Sequence, residues 1–271
     1  MTYSKRGLSI RLTYFFVAIL FFTASKIKGG NKRKKIVLCY HGVKDSQKLN
    51  FSNQIRMIKK RAFASKDFPS TNKQVADNAS VCITFDDAFT NLLSNVIPVI
   101  TELQIPITIF IPTGNLGTIP FWLKESEHSD SHEMVMSVNQ ILALNENHMV
   151  NIGSHTVDHP RLTLLKEDEI RKQLRNSLDI ISELIGKKIT ELALPYGAYN
   201  ELVIRVALEE GYQKIYTLEP VVYDAESSPD AHLIGRFSVS PDDWLVEFFL
   251  TINGAYAWLA PWRTFLSKIR R

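Results

Sequence analysis

From residue 36 onward, short apolar runs alternate with amphipathic stretches, and this alternation restricts the possible folds more than any other feature. Seven runs have the length and continuous apolarity of buried strands: 36–40, 81–85, 107–111, 150–153, 189–194, 214–218 and 233–237. The stretches with helical periodicity are 51–64, 89–104, 137–146, 166–185 and 199–210. Continuous apolar strands separated by helices are typical of a parallel sheet covered by helices. The pattern therefore predicts an α/β protein with about seven parallel strands, in either a closed or nearly closed barrel or a doubly wound open sheet.

The composition agrees with one folded domain. The chain has 271 residues, of which 45% are hydrophobic and 22% charged, which excludes disordered, collagen-like and multi-span membrane classes. Neither an internal repeat nor a long low-complexity linker divides the alternating region, so a single domain is favoured. Cys39 and Cys82 lie inside apolar runs and are predicted to be buried free thiols. In both architectures the residues that follow the strands meet at one rim, where we expect the functional site.

Charge is concentrated at the ends of the chain. Residues 1–35 hold nine Lys and Arg and no acidic residue, and the last 24 residues hold four more basic residues and no acidic one. The middle, 36–247, carries 19 basic and 28 acidic residues, a net charge of −9. Such an acidic body argues against a nucleic-acid partner. Basic ends are consistent with contact with an anionic membrane surface, or with tails that are simply solvated.

The N-terminal segment 1–35 is interpreted as a signal or membrane-anchor segment. Its uncharged run from Leu12 to Ala24 follows Lys5, Arg6 and Arg11, and it is shorter than the ~20 residues of a comfortable transmembrane helix. Such a run suits the apolar core of a signal peptide, whereas the basic cluster 32–35 resists translocation. A cleaved signal, an uncleaved anchor and a surface-lying segment all fit the pattern. The predicted location is therefore membrane-associated or exported to the cell envelope, with either side of the membrane open.

Two adjacent carboxylates, Asp86 and Asp87, end the second apolar run. Successive side chains of a strand diverge, so the pair is not expected to bind one atom together. One carboxylate would ligate a cation while the other handles a proton. The alternative is an Asp-rich turn that caps a helix.

Two imidazoles, His155 and His159, follow the fourth run at a spacing of four residues. On one turn of helix this spacing turns both rings the same way, which is typical of a divalent-metal site. Position 156 is Thr, so the pattern His-Glu-x-x-His and its built-in base are absent. One carboxylate and two histidines would give three protein ligands and leave positions open for water and substrate, as catalytic metal sites do.

Three runs occur in a fixed order: Thr84-Phe85-Asp86-Asp87, then Ser154-His155-Thr156-Val157-Asp158-His159-Pro160, then Leu194-Pro195-Tyr196-Gly197. Together they resemble the first three motifs of the polysaccharide deacetylases, the NodB-homology family, over roughly residues 36–245. The resemblance implies a distorted (β/α) barrel that hydrolyses N-acetyl, and in some members O-acetyl, groups on sugars. It also implies a divalent metal ion, usually zinc, with a water bound to the metal as the nucleophile.

The resemblance also implies roles for individual residues. By position, Asp87, His155 and His159 match the metal ligands and Asp86 matches the catalytic base. The backbone N–H of Tyr196 matches the donor to the oxyanion. These roles together describe metal-assisted attack of water on an acetamide carbonyl.

Three departures from the family pattern lead to further predictions. Ala88 stands where Gly usually follows the two aspartates. Ala193 stands where the third motif often has an Arg that orients the base, and Arg236 is predicted to replace that Arg. No His follows His232, although most members carry their proton-donating His near the C-terminus. His41 matches the branch that resembles the circularly permuted poly-N-acetylglucosamine deacetylases, and it is predicted to be the general acid.

Two tryptophans and the C-terminal tail admit two interpretations each. Trp122 lies in a polar insertion, 112–136, that is either a substrate-facing lid or a solvated loop. Trp244 matches the fourth family motif only loosely; it would either wall the pocket for the acetyl methyl or pack against a helix, and packing is predicted. The segment 246–271 is rich in aromatic residues and ends in basic ones. This pattern predicts either an amphipathic helix at a bilayer surface or packing across the outside of the barrel.

The sequence therefore predicts a metal-dependent hydrolase, with zinc as the expected ion, that removes N-acetyl groups from an amino-sugar glycan. Membrane contact at both ends would suit a lipid-linked or nascent surface glycan. A catalytically impaired sugar-binding relative is the first alternative, because the usual Arg is missing and the acid His is displaced. A metal amidohydrolase that acts on a non-sugar amide is the second, because a fold does not by itself fix a substrate.

Overall fold

The computed structural model describes residues 7–27, 34–64, 79–124, 132–224 and 232–261. The strands in these ranges are β1 (Lys34–Tyr40), β2 (Ala62–Ala64), β3 (Ala79–Phe85), β4 (Ile107–Ile111), β5 (Val150–Ser154), β6 (Glu191–Ala193), β7 (Lys214–Tyr216), β8 (Tyr223–Asp224), β9 (Leu233–Ile234) and β10 (Phe237–Ser238). The helices are α1 (Leu8–Ile27), α2 (Lys48–Arg61), α3 (Asn91–Asn95), α4 (Ile97–Leu103), α5 (Phe121–Lys124), α6 (Val138–Asn145), α7 (Glu167–Ile185), α8 (Glu201–Glu209) and α9 (Leu245–Ile252).

Eight parallel strands form one sheet in the order β10-β1-β3-β4-β5-β6-β7-β9. The short strand β2 adds to β3, and β8 pairs with β1 in the antiparallel sense. Only Gly235 and Arg236 join β9 to β10, the two ends of the sheet order. The sheet therefore curls until its two ends lie close together, as in a distorted (β/α) barrel. The predicted single-domain α/β fold is confirmed.

Side chains of the strands alternate between the barrel interior and the helices outside it. In β1, Val37 belongs to a small buried interior cluster, whereas Ile36 and Leu38 belong to the large core between sheet and helices. The interior cluster consists of Val37, Cys82, Phe110, Ala193, Tyr216 and Ile234. Both cysteines are buried free thiols, as predicted. The polar residues that follow these strands consequently lie next to this buried apolar cluster.

Helix α7 follows directly from its sequence pattern. Apolar side chains recur every three or four residues and are buried against the sheet: Ile170, Leu174, Leu178, Ile181 and Ile185. Gly186 ends the helix in the left-handed conformation, with φ 67°. Glycine adopts this conformation without the clash that a Cβ would introduce. The predicted helix 166–185 is therefore confirmed to within one residue.

Three predicted elements differ from the structure. The helix predicted over 51–64 ends at Arg61, and the chain continues as β2. The helix predicted over 89–104 is divided at Val96 into α3 and α4, and Pro98 lies in the first turn of α4, where a missing N–H costs nothing. The strand predicted over 233–237 is interrupted at Gly235 and Arg236, because the chain there crosses between the two ends of the sheet.

The tail beyond Trp244 packs on the barrel as far as the structure describes it. Phe248, Leu250, Tyr256 and Leu259 are buried in the main core. Trp244 packs against α1, with its ring centroid 6.1 Å from that of Phe15, in line with the predicted packing role. Of the two interpretations of the tail, packing across the outside of the barrel thus describes residues 245–259, and residues 262–271 lie outside the described ranges.

Candidate active site

The double aspartate is presented by a reversal of the chain after β3. Thr84 and Asp86 continue the alternation that places Cys82 in the barrel interior. Asp87 and Ala88 then adopt positive φ angles of 68° and 47°. This left-handed turn keeps Asp87 from pointing away from Asp86, as the next residue of a strand would. The position of Ala88 is one that glycine adopts more readily, which gives a physical reason for the glycine usual in the family.

The two histidines lie on an irregular loop after β5, so the helical turn assumed for them in the sequence argument is wrong. Pro160 follows His159 and disfavours a helical conformation for it. Thr156 and His159 have φ angles of 68° and 56°. The Thr156 hydroxyl accepts a hydrogen bond from the His159 backbone N–H at 3.1 Å. A side-chain-supported loop, rather than a helix, brings the rings together, with centroids 4.8 Å apart.

Asp87, His155 and His159 converge on one point at the barrel rim. Oδ1 of Asp87 lies 3.7 Å from Nε2 of His155 and 3.7 Å from Nε2 of His159. One ligand atom from each residue can be chosen so that all three lie within 4.8 Å of one another, and all three residues are buried. Two ligand atoms about 2.0–2.1 Å from one tetrahedral ion are separated by roughly 3.3 Å. The two distances from Asp87 to the imidazoles are within a few tenths of an ångström of this separation, so the three side chains fit a divalent cation after small shifts.

The protonation of the two imidazoles also fits a cation. Nδ1 of His155 donates to the backbone carbonyl of Ala193 at 2.8 Å, which leaves the lone pair of Nε2 directed toward Asp87. Burial lowers the pKa of His155, and burial together with His155 lowers the pKa of His159 to about 2. Both rings are therefore neutral near pH 7, and their approach to Asp87 is not an ion pair. Neutral imidazoles beside a carboxylate are the donor set that zinc and related divalent ions take.

Asp86 is held by Arg236, the residue between β9 and β10. The guanidinium donates from Nη1 to Oδ1 at 2.7 Å and from Nη2 to Oδ2 at 2.8 Å. It also donates to the Thr84 hydroxyl at 3.0 Å and to the Thr217 carbonyl at 3.1 Å. Burial by itself would raise the pKa of Asp86, but the charge and hydrogen bonds of Arg236 outweigh it and lower that pKa below its ordinary value. Asp86 is therefore a fixed, ionised carboxylate.

Cys39 and His41 lie on the other side of Asp86. The Cys39 thiol donates to Oδ2 of Asp86 at 3.3 Å, and burial raises the pKa of this thiol well above its ordinary value. Ligand atoms of Cys39, His41 and Asp86 lie within 4.8 Å of one another. His41 is half-buried, so its ring reaches both the site and solvent. This group shares Asp86 with Arg236, whose positive charge disfavours a second cation there.

Aromatic rings cover the outer side of the histidine pair. The Trp122 ring stacks on His159 with centroids 4.1 Å apart and an interplanar angle of 21°. The Tyr196 ring meets His159 edge-on at 4.8 Å, and the Arg161 guanidinium lies 4.8 Å from the centroid of that tyrosine. Tyr196 itself has φ 60° and ψ 4°, a left-handed conformation in the turn between β6 and α8. The rings cover one side of the cluster and leave His159 only 6% exposed.

We expect Trp122→Ala to weaken the site by loosening His159. The stacked indole limits the rotation of the His159 ring, and groups that orient a metal ligand typically affect metal affinity by about ten- to a hundredfold. A chelator competition assay on the metal-loaded protein measures this affinity. Phe121→Ala is the matched control. Phe121 is the neighbouring aromatic residue of α5, its side chain is exposed, and its ring centroid lies 5.5 Å from that of Trp122. Equal affinities for Trp122→Ala and the unmodified protein would contradict the role.

Comparison with known proteins shows which family the chain belongs to. Residues 73–215, more than half of it, match the family profile described as "Polysaccharide deacetylase". The chain belongs to the polysaccharide deacetylase family. This membership confirms the resemblance drawn from the three motifs, and it places the chain among hydrolases whose named relatives are N-deacetylases, enzymes that cleave amide bonds.

Two relatives show how far the similarity extends. The poly-beta-1,6-N-acetyl-D-glucosamine N-deacetylase of Staphylococcus epidermidis is 29% identical over 177 residues, which cover 60% of this chain and 55% of that protein. The Bacillus subtilis protein YxkH, whose name places it provisionally among the polysaccharide deacetylases, is 24% identical over 229 residues, 81% of this chain and 76% of that protein. The chain thus spans little more than half of the first relative's length and about three quarters of the second's.

Solved structures share the fold. The Streptococcus pyogenes deacetylase PplD, in complex with acetate, superposes with a TM-score of 0.65 at 18% identity, over 82% of this chain and 98% of that one. IcaB from Ammonifex degensii gives a TM-score of 0.66 at 21% identity, over 81% of this chain and 97% of that one. At these identities the likeness supports the barrel architecture alone.

The structure brings all seven predicted site residues to one rim, and sequence reasoning missed two more contacts. Cys39 touches Asp86, and Trp122 stacks on His159. The alternation of β1, which turns Cys39 and His41 to the same side, is the signal that identifies the thiol. A lone tryptophan in a polar insertion is the weaker signal for Trp122. Of the acidic and histidine residues in that insertion, His132 is exposed, whereas Glu125, Glu127, His128 and Asp130 lie outside the described residues.

Proposed function

We propose that this protein removes N-acetyl groups from an amino-sugar glycan with the help of a divalent metal ion. One observation carries the proposal: three buried ligands, Asp87, His155 and His159, converge beside the ionised carboxylate of Asp86, which Arg236 holds and which lies 4.0 Å from Nε2 of His155. Metal ligands next to an oriented carboxylate suit hydrolysis of an unactivated amide. The relative named as a poly-beta-1,6-N-acetyl-D-glucosamine N-deacetylase supports an N-acetylated glycan as the substrate class.

The metal would be held by Asp87, His155 and His159, and zinc is the ion that this donor set favours. When bound, the metal supplies Lewis-acid polarisation of the acetyl carbonyl and lowers the pKa of water toward neutrality. The protein's part is to keep both imidazoles neutral and in the right tautomer. The Ala193 carbonyl does this for His155, and the Trp122 ring restrains His159.

Asp86 is proposed to accept the proton of the attacking water. The paired bonds from Arg236 fix the direction of the carboxylate and keep it ionised, at some cost in basicity. Arg236 is thus a positioning residue that acts through Asp86. It takes the place of the arginine that the third motif lacks at Ala193.

His41 is proposed to protonate the departing sugar nitrogen. An amine anion is a poor leaving group, so a proton must reach the nitrogen as the C–N bond breaks. The half-buried ring lies next to Asp86 and exchanges protons with solvent between turnovers. The backbone N–H of Tyr196 is proposed to donate to the oxygen of the tetrahedral intermediate, from the opposite side of the cluster.

The geometry around Asp86 speaks against the first alternative, a catalytically impaired sugar-binding relative. That alternative relied on the missing arginine and the displaced histidine. Arg236 and His41 both lie against Asp86. If no arginine had reached Asp86, this buried carboxylate would have no positive charge to compensate it, and the structure supplies Arg236 for that purpose.

Acetate release tests the function and separates it from hydrolysis of a non-sugar amide. The substrates are β-1,6-linked N-acetylglucosamine oligomers, β-1,4-linked N-acetylglucosamine oligomers and an N-acetylated amino-acid amide. We expect release from at least one glycan at about ten times or more the rate for the amino-acid amide, because the pocket must also bind the sugar rings. A chelator should abolish release and added zinc should restore it. Faster release from the amino-acid amide would establish the non-sugar alternative, and release unaffected by chelator would contradict the metal.

We also propose that the protein works at the membrane surface of the cell envelope. The basic, apolar N-terminal segment supports this location, as does α1, which is long and apolar enough to cross a membrane by length and composition. Its 20 residues extend the apolar run beyond the 13 used in the sequence argument. A glycan that is still attached to lipid or to its synthase would be presented at this surface.

A further inference from the structure

Helix α1 has one face covered by the body of the protein. Tyr14 packs edge-on against Trp258, with centroids 5.3 Å apart, and Phe22 packs against Phe249 at 5.7 Å. Between them Ala18 is fully buried in the main core. These residues recur every four positions, so they form one stripe along the helix. The stripe lies on α9 and the turn that follows it.

An ion pair joins α1 to a buried carboxylate of α9. Arg11 donates from Nε to both carboxylate oxygens of Glu247, at 2.9 and 3.1 Å, and its guanidinium lies 4.1 Å from the centroid of the Trp244 ring. Glu247 is buried and also accepts the backbone N–H of Trp244. Removal of α1 would take away the cation that compensates this buried carboxylate. The ion pair and the aromatic stripe together join α1 to the body of the protein.

The opposite face of α1 is apolar and exposed. Phe16 is 60% exposed and Leu20 is 68% exposed, and Val17, Phe21 and Ile27 are exposed beside them. No charged residue lies between Arg11 and Lys26. Leu245 and Val246, next to the Trp244 that contacts α1, add further exposed apolar surface. An exposed apolar face of this kind marks a surface that binds a partner or a membrane.

The charge of the segment favours an anionic bilayer surface as the partner of this face. Lys26 is exposed at the end of α1, and it belongs to a segment, 1–35, with nine basic residues and no acidic one. An apolar face flanked by basic residues binds the boundary between headgroups and acyl chains of anionic lipids. A helix that crossed the bilayer would instead be surrounded by lipid and would have to leave α9. Glu247 and the aromatic stripe would then lose their partners.

We propose that α1 lies flat between the barrel and an anionic membrane, remaining docked on α9 while its Phe16–Leu20 face enters the lipid. This inference rests on the proposed membrane association and gives it a geometry. It requires that α1 is neither removed as a signal peptide nor inserted across the bilayer. The helix then holds the barrel at a fixed orientation to the surface on which the glycan is presented.

Vesicle sedimentation of the full-length chain tests the outer face. The vesicles are phosphatidylcholine alone or phosphatidylcholine mixed with phosphatidylglycerol. We expect binding to the anionic vesicles, and about tenfold or more weaker binding for Phe16→Ser/Leu20→Ser, since each side chain is apolar and exposed. Leu164→Ser is the matched control, because Leu164 is 78% exposed on another part of the surface. Equal binding of the double variant, or equal binding to both vesicle types, would overturn the proposal.

Cross-linking on the vesicles tests whether α1 stays docked. The variant Phe22→Cys/Phe249→Cys places two thiols at an existing contact, whereas Phe16→Cys/Phe249→Cys places one of them on the outer face. The natural cysteines are buried and are not expected to react. A short bismaleimide should link the first pair, and not the second, within vesicle-bound chains. Loss of the first cross-link on binding would mean that α1 inserts by itself, and recovery of membrane protein lacking α1 would mean cleavage; either result refutes the geometry.

Two further readouts keep this inference separate from the proposed function. Acetate release from soluble oligomers should be unchanged in Phe16→Ser/Leu20→Ser, because α1 does not contribute to the metal cluster. If the unmodified protein releases no acetate while the vesicle and cross-linking results hold, the enzymatic proposal fails and the membrane geometry stands. The alternative partner is a second copy of the chain. In that case the unmodified protein would bind no vesicles, and its mass in solution would be twice that of Phe16→Ser/Leu20→Ser. This result would contradict the proposed membrane contact.

Discussion

Asp87→Ala should abolish stoichiometric metal binding and reduce acetate release by about a thousandfold or more. Asp87 contributes the only carboxylate among the three convergent ligands, and it lies 3.7 Å from each imidazole nitrogen. Without it two neutral imidazoles remain, which bind a divalent ion weakly. Metal-assisted hydrolysis draws several kcal/mol of barrier reduction from the ion, and each 1.4 kcal/mol corresponds to about a tenfold change in rate. Elemental analysis of the purified variant and its acetate release measure the two effects.

Asp158→Ala provides the control for this substitution. Asp158 lies in the same loop, between the two histidines, but it is exposed and accepts a hydrogen bond from Gln173 at 2.7 Å. We expect this variant to keep its metal and most of its activity. One metal ion per chain in Asp87→Ala, with activity to match, would show that the ion lies elsewhere.

Asp86→Asn should keep the metal and lose at least about a hundredfold in turnover. The asparagine preserves the size of the side chain but cannot accept the water proton, and general-base catalysis typically contributes about 10²- to 10⁴-fold. The substitution also removes the counter-charge of Arg236, which is fully buried. Breaking a buried pair typically costs about 3–5 kcal/mol of unfolding free energy, so thermal unfolding must be measured alongside activity.

A double variant separates catalysis from stability. Asp86→Asn/Arg236→Gln removes both buried charges, and we expect it to recover most of the lost unfolding free energy. Its turnover should stay as low as that of the single variant, because the base is still absent. Recovery of turnover together with stability would show that Asp86 serves the fold rather than the reaction. Near-normal turnover in Asp86→Asn alone would have the same meaning.

The sequence predicts the site residues more reliably than the local geometry that joins them. Spacing correctly groups His155 and His159, yet it assigns them to a helical turn that the structure replaces with a loop. The reason is Pro160 together with the Thr156 hydroxyl, which stabilises a left-handed backbone at His159. Periodicity describes repeated conformations, and the residues with positive φ in these loops follow no period.

Long-range contacts are the other part that the sequence does not determine. Arg236 and Asp86 are 150 positions apart, and they meet because β10 pairs with β1, which pairs with β3. The family resemblance gives a reason to look for an arginine near Asp86, and the sheet order explains why Arg236 is close enough to bind it. The contact of Trp122 with His159 and the docking of α1 on α9 depend on the packing of separate segments. No local pattern in α1 distinguishes its inner stripe from its outer face, since both are apolar.

The decisive experiment is a titration of zinc into the metal-free protein, with acetate release measured at each step. We expect activity to rise in proportion to bound zinc and to stop rising at one ion per chain. The same titration of His155→Ala should give neither tight binding nor activity. Full acetate release by the metal-free protein, or tight binding of one ion by His155→Ala, would contradict the claim that Asp87, His155 and His159 hold the ion on which hydrolysis depends.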